Sequence, residues 1–136
     1  MRFIWDNIGL FLVACLSGAM LLWPLLGNRL RGVKEVGMAE ALQLINHKNA
    51  FVLDVREESE FNSGHILNSR LIPLGKLNER IGELERYREK PIVVVCRSGQ
   101  RSTAACVLLG KQGFSQAYNL AGGVLAWQKA NLPLEK

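Results

Sequence analysis

Pro91-Ile92-Val93-Val94-Val95-Cys96-Arg97-Ser98-Gly99-Gln100-Arg101-Ser102 drives a β-branched run into a cysteine and then into a short polar turn. A continuous apolar run of this length suits a strand covered on both faces, as in a parallel sheet. Thr103 to Gln112 follows as an amphipathic helix, with Ser102 expected as its N-cap and Gly113 as its stop. Cys96 is thereby expected where a strand ends, facing a helix N-terminus. The helix dipole, the free N–H groups of the turn and the charges of Arg97 and Arg101 all favour thiolate over thiol there. Gly99 permits positive φ, so that successive N–H groups curl inward as an anion nest.

Strand and helix signals alternate on both sides of this stretch. Phe51-Val52-Leu53-Asp54-Val55 is a second near-continuous apolar strand, preceded by a helix near Ala39 to His47. A helical turn is expected around Glu58 to Asn62, a brief strand near Leu71-Ile72, helices over about Gly75 to Arg88, a strand at Ala117 to Asn119 and a last helix near Val124 to Ala130. This alternation argues for an α/β layer with a parallel sheet. Sites in such sheets form at the carboxyl ends of strands, which is where Cys96, Asp54 and Arg56 fall. Asp54 and Arg56 are expected to brace the loop as an ion pair rather than to touch substrate, His65 to brace a turn, and His47 to be exposed.

The stretch from Cys96 to Arg101 resembles the six-residue active-site loop of the rhodanese-like sulfurtransferases, whose cysteine becomes a persulfide. Leu53-Asp54-Val55-Arg56-Glu57 with Glu60-Phe61 and Gly64-His65-Ile66 is similar to the upstream strand and turn of that family, and Asn119 through Trp127 to its Gly-Gly and Trp segment. The resemblance covers roughly residues 36 to 134. It implies a catalytic Cys96 and a cradle for substrate made of Arg97, Ser98, Gly99, Gln100 and Arg101, supported by Asp54, Arg56 and Ser102. It further implies a small anionic sulfur donor such as thiosulfate, a thiol or cyanide acceptor, and neither metal nor organic cofactor. A membrane-tethered persulfide carrier is the alternative within the same chemistry. Cysteine phosphatases and arsenate reductases place five residues between Cys and Arg; here Ser102 holds that position and Arg101 comes one residue earlier, a tighter loop that suits sulfur better than tetrahedral phosphate.

The 136 residues exceed what one such domain needs, and the excess is N-terminal. Ile8 to Leu26 carries no charge, and as a helix it would span about 28 Å against a hydrocarbon core of roughly 30 Å. The expected organisation is a tail at 1–7, a transmembrane anchor at 8–26 in contact with lipid, a linker at 27–37 and the rhodanese-like domain at 38–134. Trp5 and Trp23 near the ends of the apolar run suit the interface, and Arg29, Arg31 and Lys34 after it place the catalytic domain in the cytoplasm. The whole is an α/β fold, a rhodanese-like parallel sheet flanked by helices and preceded by one N-terminal transmembrane helix.

Charge and cysteine usage narrow the remaining classes. The net charge is +5, yet no basic helix face or aromatic platform accompanies it, so nucleic acid is not an expected partner, while a protein partner is left open. The three cysteines have no spacing suited to a disulfide framework or a zinc site.

Overall fold

Val93 and Val95 alternate with Ile92, Val94 and Cys96 because successive residues of a strand point to opposite faces, and both sets are buried. The computed structural model describes residues 2–30 and 33–136, with the side chains of 23–30 left out. Residues 1–32 and 33–136 form separate units.

In the second unit, β1 (Lys34–Val36), β2 (Phe51–Asp54), β4 (Arg70–Leu71), β5 (Ile92–Val95) and β6 (Ala117–Leu120) form one parallel sheet in the order β1-β6-β5-β2-β4. The central pair, β2 and β5, aligns Phe51 with Ile92 and Asp54 with Val95, so Asp54 and Cys96 end up at the same rim. One face carries α5 (Leu74–Arg80), a 3₁₀ segment (Ile81–Tyr87) and α6 (Gln100–Lys111); its core joins Leu53, Ile72, Leu77, Ile92, Val94, Cys96 and Leu109. The other face carries α3 (Met38–His47) and α7 (Gly123–Lys129) over Val52, Val93, Val95, Leu120 and Trp127. The short α4 (Glu58–Asn62) follows β2, and β3 (His65–Ile66) pairs antiparallel with β7 (Leu134–Glu135).

Several boundaries differ from the sequence expectation. Residues 27–37 do not form a simple linker, since β1 lies within them and pairs with β6 at the sheet edge. The helix after the cysteine loop starts at Gln100, not beyond Ser102, because Gly99 takes φ 105° and turns the chain into the helix one step earlier. Freed from capping, the Ser102 hydroxyl points inward.

The first unit consists of α1 (Arg2–Asp6) and α2 (Ile8–Leu30). Among the described residues no helix is long and apolar enough to cross a membrane. This overturns the single-pass anchor at 8–26, its lipid contact and the membrane localisation with a cytoplasmic catalytic domain. The side chains of Trp23 and Arg29, and Arg31 as a whole, on which the interface and orientation arguments drew, lie outside the described residues.

Candidate active site

Cys96 leaves the end of β5 with only 1 % of its surface exposed, and the chain turns at Gly99 to enter α6. The turn aims backbone N–H groups back at the sulfur: that of Gly99 donates to Cys96 Sγ at 3.0 Å, and Ser102 Oγ lies 3.3 Å away. Burial pushes the thiol up, but the contact with the Ser102 side chain and hydrogen bonds from the backbone of Ser102, Gly99 and Ser98 outweigh it, leaving Cys96 below the ordinary thiol range. Hydrogen bonding rather than neighbouring guanidinium charge therefore lowers this thiol, a shift in emphasis from the sequence argument. Cys106, on the same face of the core, shows the contrast: burial, with the charge of Cys96 adding to it, pushes that thiol up to about 12. It stays neutral and inert.

A buried polar network fixes the turn from behind. Asn119, at 2 % exposure near the end of β6, accepts a hydrogen bond from Ser102 Oγ at 2.5 Å through Oδ1. Its Nδ2 donates to Thr103 Oγ1 at 2.8 Å and to the Gly99 carbonyl at 3.3 Å, while Thr103 Oγ1 donates to that carbonyl at 2.7 Å. Because a carbonyl can only accept, the amide orientation follows from the network itself.

The β6–α7 turn clasps the loop from the other side. Val124 N–H donates to the Cys96 carbonyl at 2.8 Å, and Leu125 N–H to that of Arg97 at 3.1 Å. So close an approach demands glycine at 123: a Cβ there would sit 2.3 Å from the Cys96 carbonyl oxygen, and φ is +58°.

The arginines divide into three kinds. Arg56, 5 % exposed, donates from Nε and Nη2 to the carboxylate of Asp54 at 2.8–3.0 Å, and Nη2 also reaches the Gly64 carbonyl at 2.8 Å. The pair ties the end of β2 to the turn before β3. Arg101 donates from Nη1 and Nη2 to the two oxygens of Glu60, at 2.7 and 2.9 Å. Arg97 is exposed and has no side-chain partner among the described residues. Ser98 and Gln100 are exposed on the rim. His65 stacks on Phe61 at 3.8 Å between ring centroids and bonds its carbonyl through Nδ1 at 2.9 Å, away from the sulfur chemistry.

Beside the loop lies an open cleft of about 220 Å³, lined by Arg56, Glu60, Arg97, Val124, Leu125 and their neighbours. Among the described residues no cluster of His, Cys, Asp or Glu could hold a metal ion. Glu60, Asn119, Thr103 and the clasp residues Gly123, Val124 and Leu125 are contributors that the sequence argument did not assign to the site. Asn119 had a visible signal, a polar residue in an otherwise apolar strand; Glu60 had none, its partner being 41 residues away.

Residues 38–130 match the rhodanese-like domain. The chain is 40 % identical over 103 residues to the uncharacterized protein YibN of Escherichia coli K12, covering 75 % of this chain and 72 % of that one. It is 34 % identical over 98 residues to the thiosulfate sulfurtransferase GlpE of Shewanella oneidensis, covering 72 % of this chain and 95 % of the relative. A crystal structure of a rhodanese-related protein from Thermoplasma volcanium superposes with a TM-score of 0.64 at 34 % identity, over 75 % of this chain and 97 % of that one. With its parallel sheet, its cysteine at a strand end and a family match spanning most of its length, the chain belongs to the rhodanese-like family.

Proposed function

We propose that the chain is a sulfurtransferase that carries sulfane sulfur on Cys96 from an anionic donor such as thiosulfate to a thiol or cyanide acceptor. The observation that carries this reading is the 3.0 Å hydrogen bond from Gly99 N–H to Cys96 Sγ, within a loop whose amides converge on the sulfur. Such a loop stabilises negative sulfur both before and after transfer. The name of the GlpE relative, a thiosulfate sulfurtransferase, lends further support.

In the first step the Cys96 thiolate attacks the outer sulfur of thiosulfate; the new S–S bond forms as the old one breaks, and sulfite leaves with the electron pair. Cys96 then holds a persulfide anion, facing the N–H groups of Ser98, Gly99 and Ser102. Arg97, being exposed and unpaired among the described residues, attracts the donor's oxyanion, while Ser98 and Gln100 shape the rim. Asp54 and Arg56 hold the adjacent strand end in place. In the second step an acceptor thiolate or cyanide attacks the outer sulfur, and Cys96 leaves as thiolate.

Mass spectrometry of the full chain after exposure to thiosulfate tests this directly. One added sulfur on the peptide containing Cys96, absent from Cys96→Ser, is the expected result. A chain that takes up no sulfur, or takes it up equally well without the Cys96 thiol, refutes the assignment.

A further inference from the structure

Three guanidinium groups approach the mouth of the Cys96 loop, but two of them meet a carboxylate first. Arg56 is bound to Asp54 and Arg101 to both oxygens of Glu60, leaving Arg97 as the unpaired cation of the cleft among the described residues. Glu60 stays ionised at any physiological pH, its carboxyl brought down to about 2 chiefly by the Arg101 hydrogen bonds. A dianion entering the cleft meets this carboxylate as well as the arginines. Val124 and Leu125 line the same cleft, and Leu125 is 39 % exposed, an apolar surface that a small inorganic anion leaves unused.

From these contacts we infer that Glu60 is a specificity-determining residue: it holds the Arg101 guanidinium away from the donor and disfavours dianionic sulfur donors relative to monoanions bearing an apolar group. This rests on the sulfur-transfer reading above. The apolar group of such a donor lies against Val124 and Leu125. With thiosulfate, Cys96–S⁻ and S–SO₃²⁻ give Cys96–S–S⁻ and SO₃²⁻. With an organic thiosulfonate, Cys96–S⁻ and R–SO₂–S⁻ give the same persulfide and R–SO₂⁻. In both, the attacking sulfur forms one S–S bond while the donor's S–S bond breaks, and the leaving group carries off the electron pair. The two donors differ in charge and in R, not in what is done to the thiol.

Glu60→Gln isolates the charge. Its amide oxygen can keep accepting from Glu57 N–H, 3.2 Å away in the wild type, and so preserve the start of α4. That oxygen also accepts from Arg101 Nη1, at 2.7 Å in the wild type, but the amide nitrogen now faces Arg101 Nη2, donor against donor, so that with the carboxylate charge gone the guanidinium is held by one bond instead of two and is freer to turn toward the donor. kcat/KM is measured on the full chain for thiosulfate, methanethiosulfonate and benzenethiosulfonate. Glu60→Gln is expected to raise the thiosulfate value about fivefold relative to either thiosulfonate, in line with the energy of one partly exposed charge pair. The gain disappears in the Glu60→Gln/Arg101→Gln double variant, and Glu60→Asp keeps the wild-type ratio. Because each comparison is a ratio within one sample, any fall in folded fraction cancels. Equal changes for all three donors, as a merely structural role would produce, overturn the inference while leaving sulfur transfer intact. Failure of the wild type to take sulfur from any of them defeats the sulfur-transfer reading and this inference with it.

Discussion

Gly123→Ala tests the clasp on the cysteine loop most sharply, because the cost can be worked out from contacts already described. The position has φ +58°, where an L-residue loses about 1–2 kcal/mol relative to glycine. The new methyl would stand 2.3 Å from the Cys96 carbonyl oxygen and 2.6 Å from that of Arg97. Both obstacles are backbone, so the turn and the loop must separate by several tenths of an ångström. That separation weakens the hydrogen bonds from Val124 N–H and Leu125 N–H to the same two carbonyls, each worth about 0.5–1.5 kcal/mol. The combined loss is about 2–5 kcal/mol, read from urea unfolding of the full chain at constant m. Persulfide formation should fall more steeply than stability alone dictates, since an ångström of misplacement at a reacting centre can cost about 100-fold. A stability change below about 1 kcal/mol with unaltered sulfur uptake would refute the claim that this turn holds the loop.

Other outcomes follow from the same geometry. Asn119→Ala strips the Ser102 hydroxyl and the Gly99 carbonyl of a buried partner, and should lower stability by about 1–3 kcal/mol and slow Cys96 alkylation, measured by urea unfolding and iodoacetamide kinetics. Arg97→Ala should reduce kcat/KM for thiosulfate about tenfold with little effect on the unfolding midpoint, since the side chain is exposed and lacks a partner among the described residues. Cys106 should resist iodoacetamide in the native chain at pH 8, its thiol lying near 12, and react only after unfolding. The Cys96 thiol is lower in the folded chain than in the unfolded one, so the unfolded state binds more protons between the two values. Its contribution to stability is therefore full above the unfolded thiol value of about 8.5 and is lost as pH falls through the folded one. Wild type should gain stability relative to Cys96→Ser as pH is raised across that window; a difference that is flat with pH contradicts the ionisation.

How much of this was legible in the sequence depended on how local each cause was. Phe51–Asp54 and Ile92–Val95 announced themselves because a strand covered on both faces must be apolar throughout. Lys34–Val36 did not: it is a three-residue edge strand with only Val36 buried, and nothing in its composition separates it from a linker. The two-residue strands β3 and β7 are too short to show a period. At the site, the cysteine, its helix and the nest-forming Gly99 are contiguous and readable, whereas the start of α6 turned on a single backbone angle that made Ser102 a buried network member instead of a cap. The Glu60–Arg101 pair joins elements that only the folded sheet brings together. The long uncharged run near the N-terminus suggested an anchor by composition, yet among the described residues no helix is long and apolar enough to cross a membrane.

The clasp between the β6–α7 turn and the loop after β5 makes the chemistry of Cys96 a late event in the life of the chain. Its amide donors lie close in sequence, but they converge on the sulfur only once residues 119–125, more than twenty positions downstream, have docked. A nascent or denatured chain thus exposes an unremarkable thiol, poorly ionised at neutral pH. The speed with which a small electrophile consumes this one side chain is in consequence a gauge of whether the domain has finished folding.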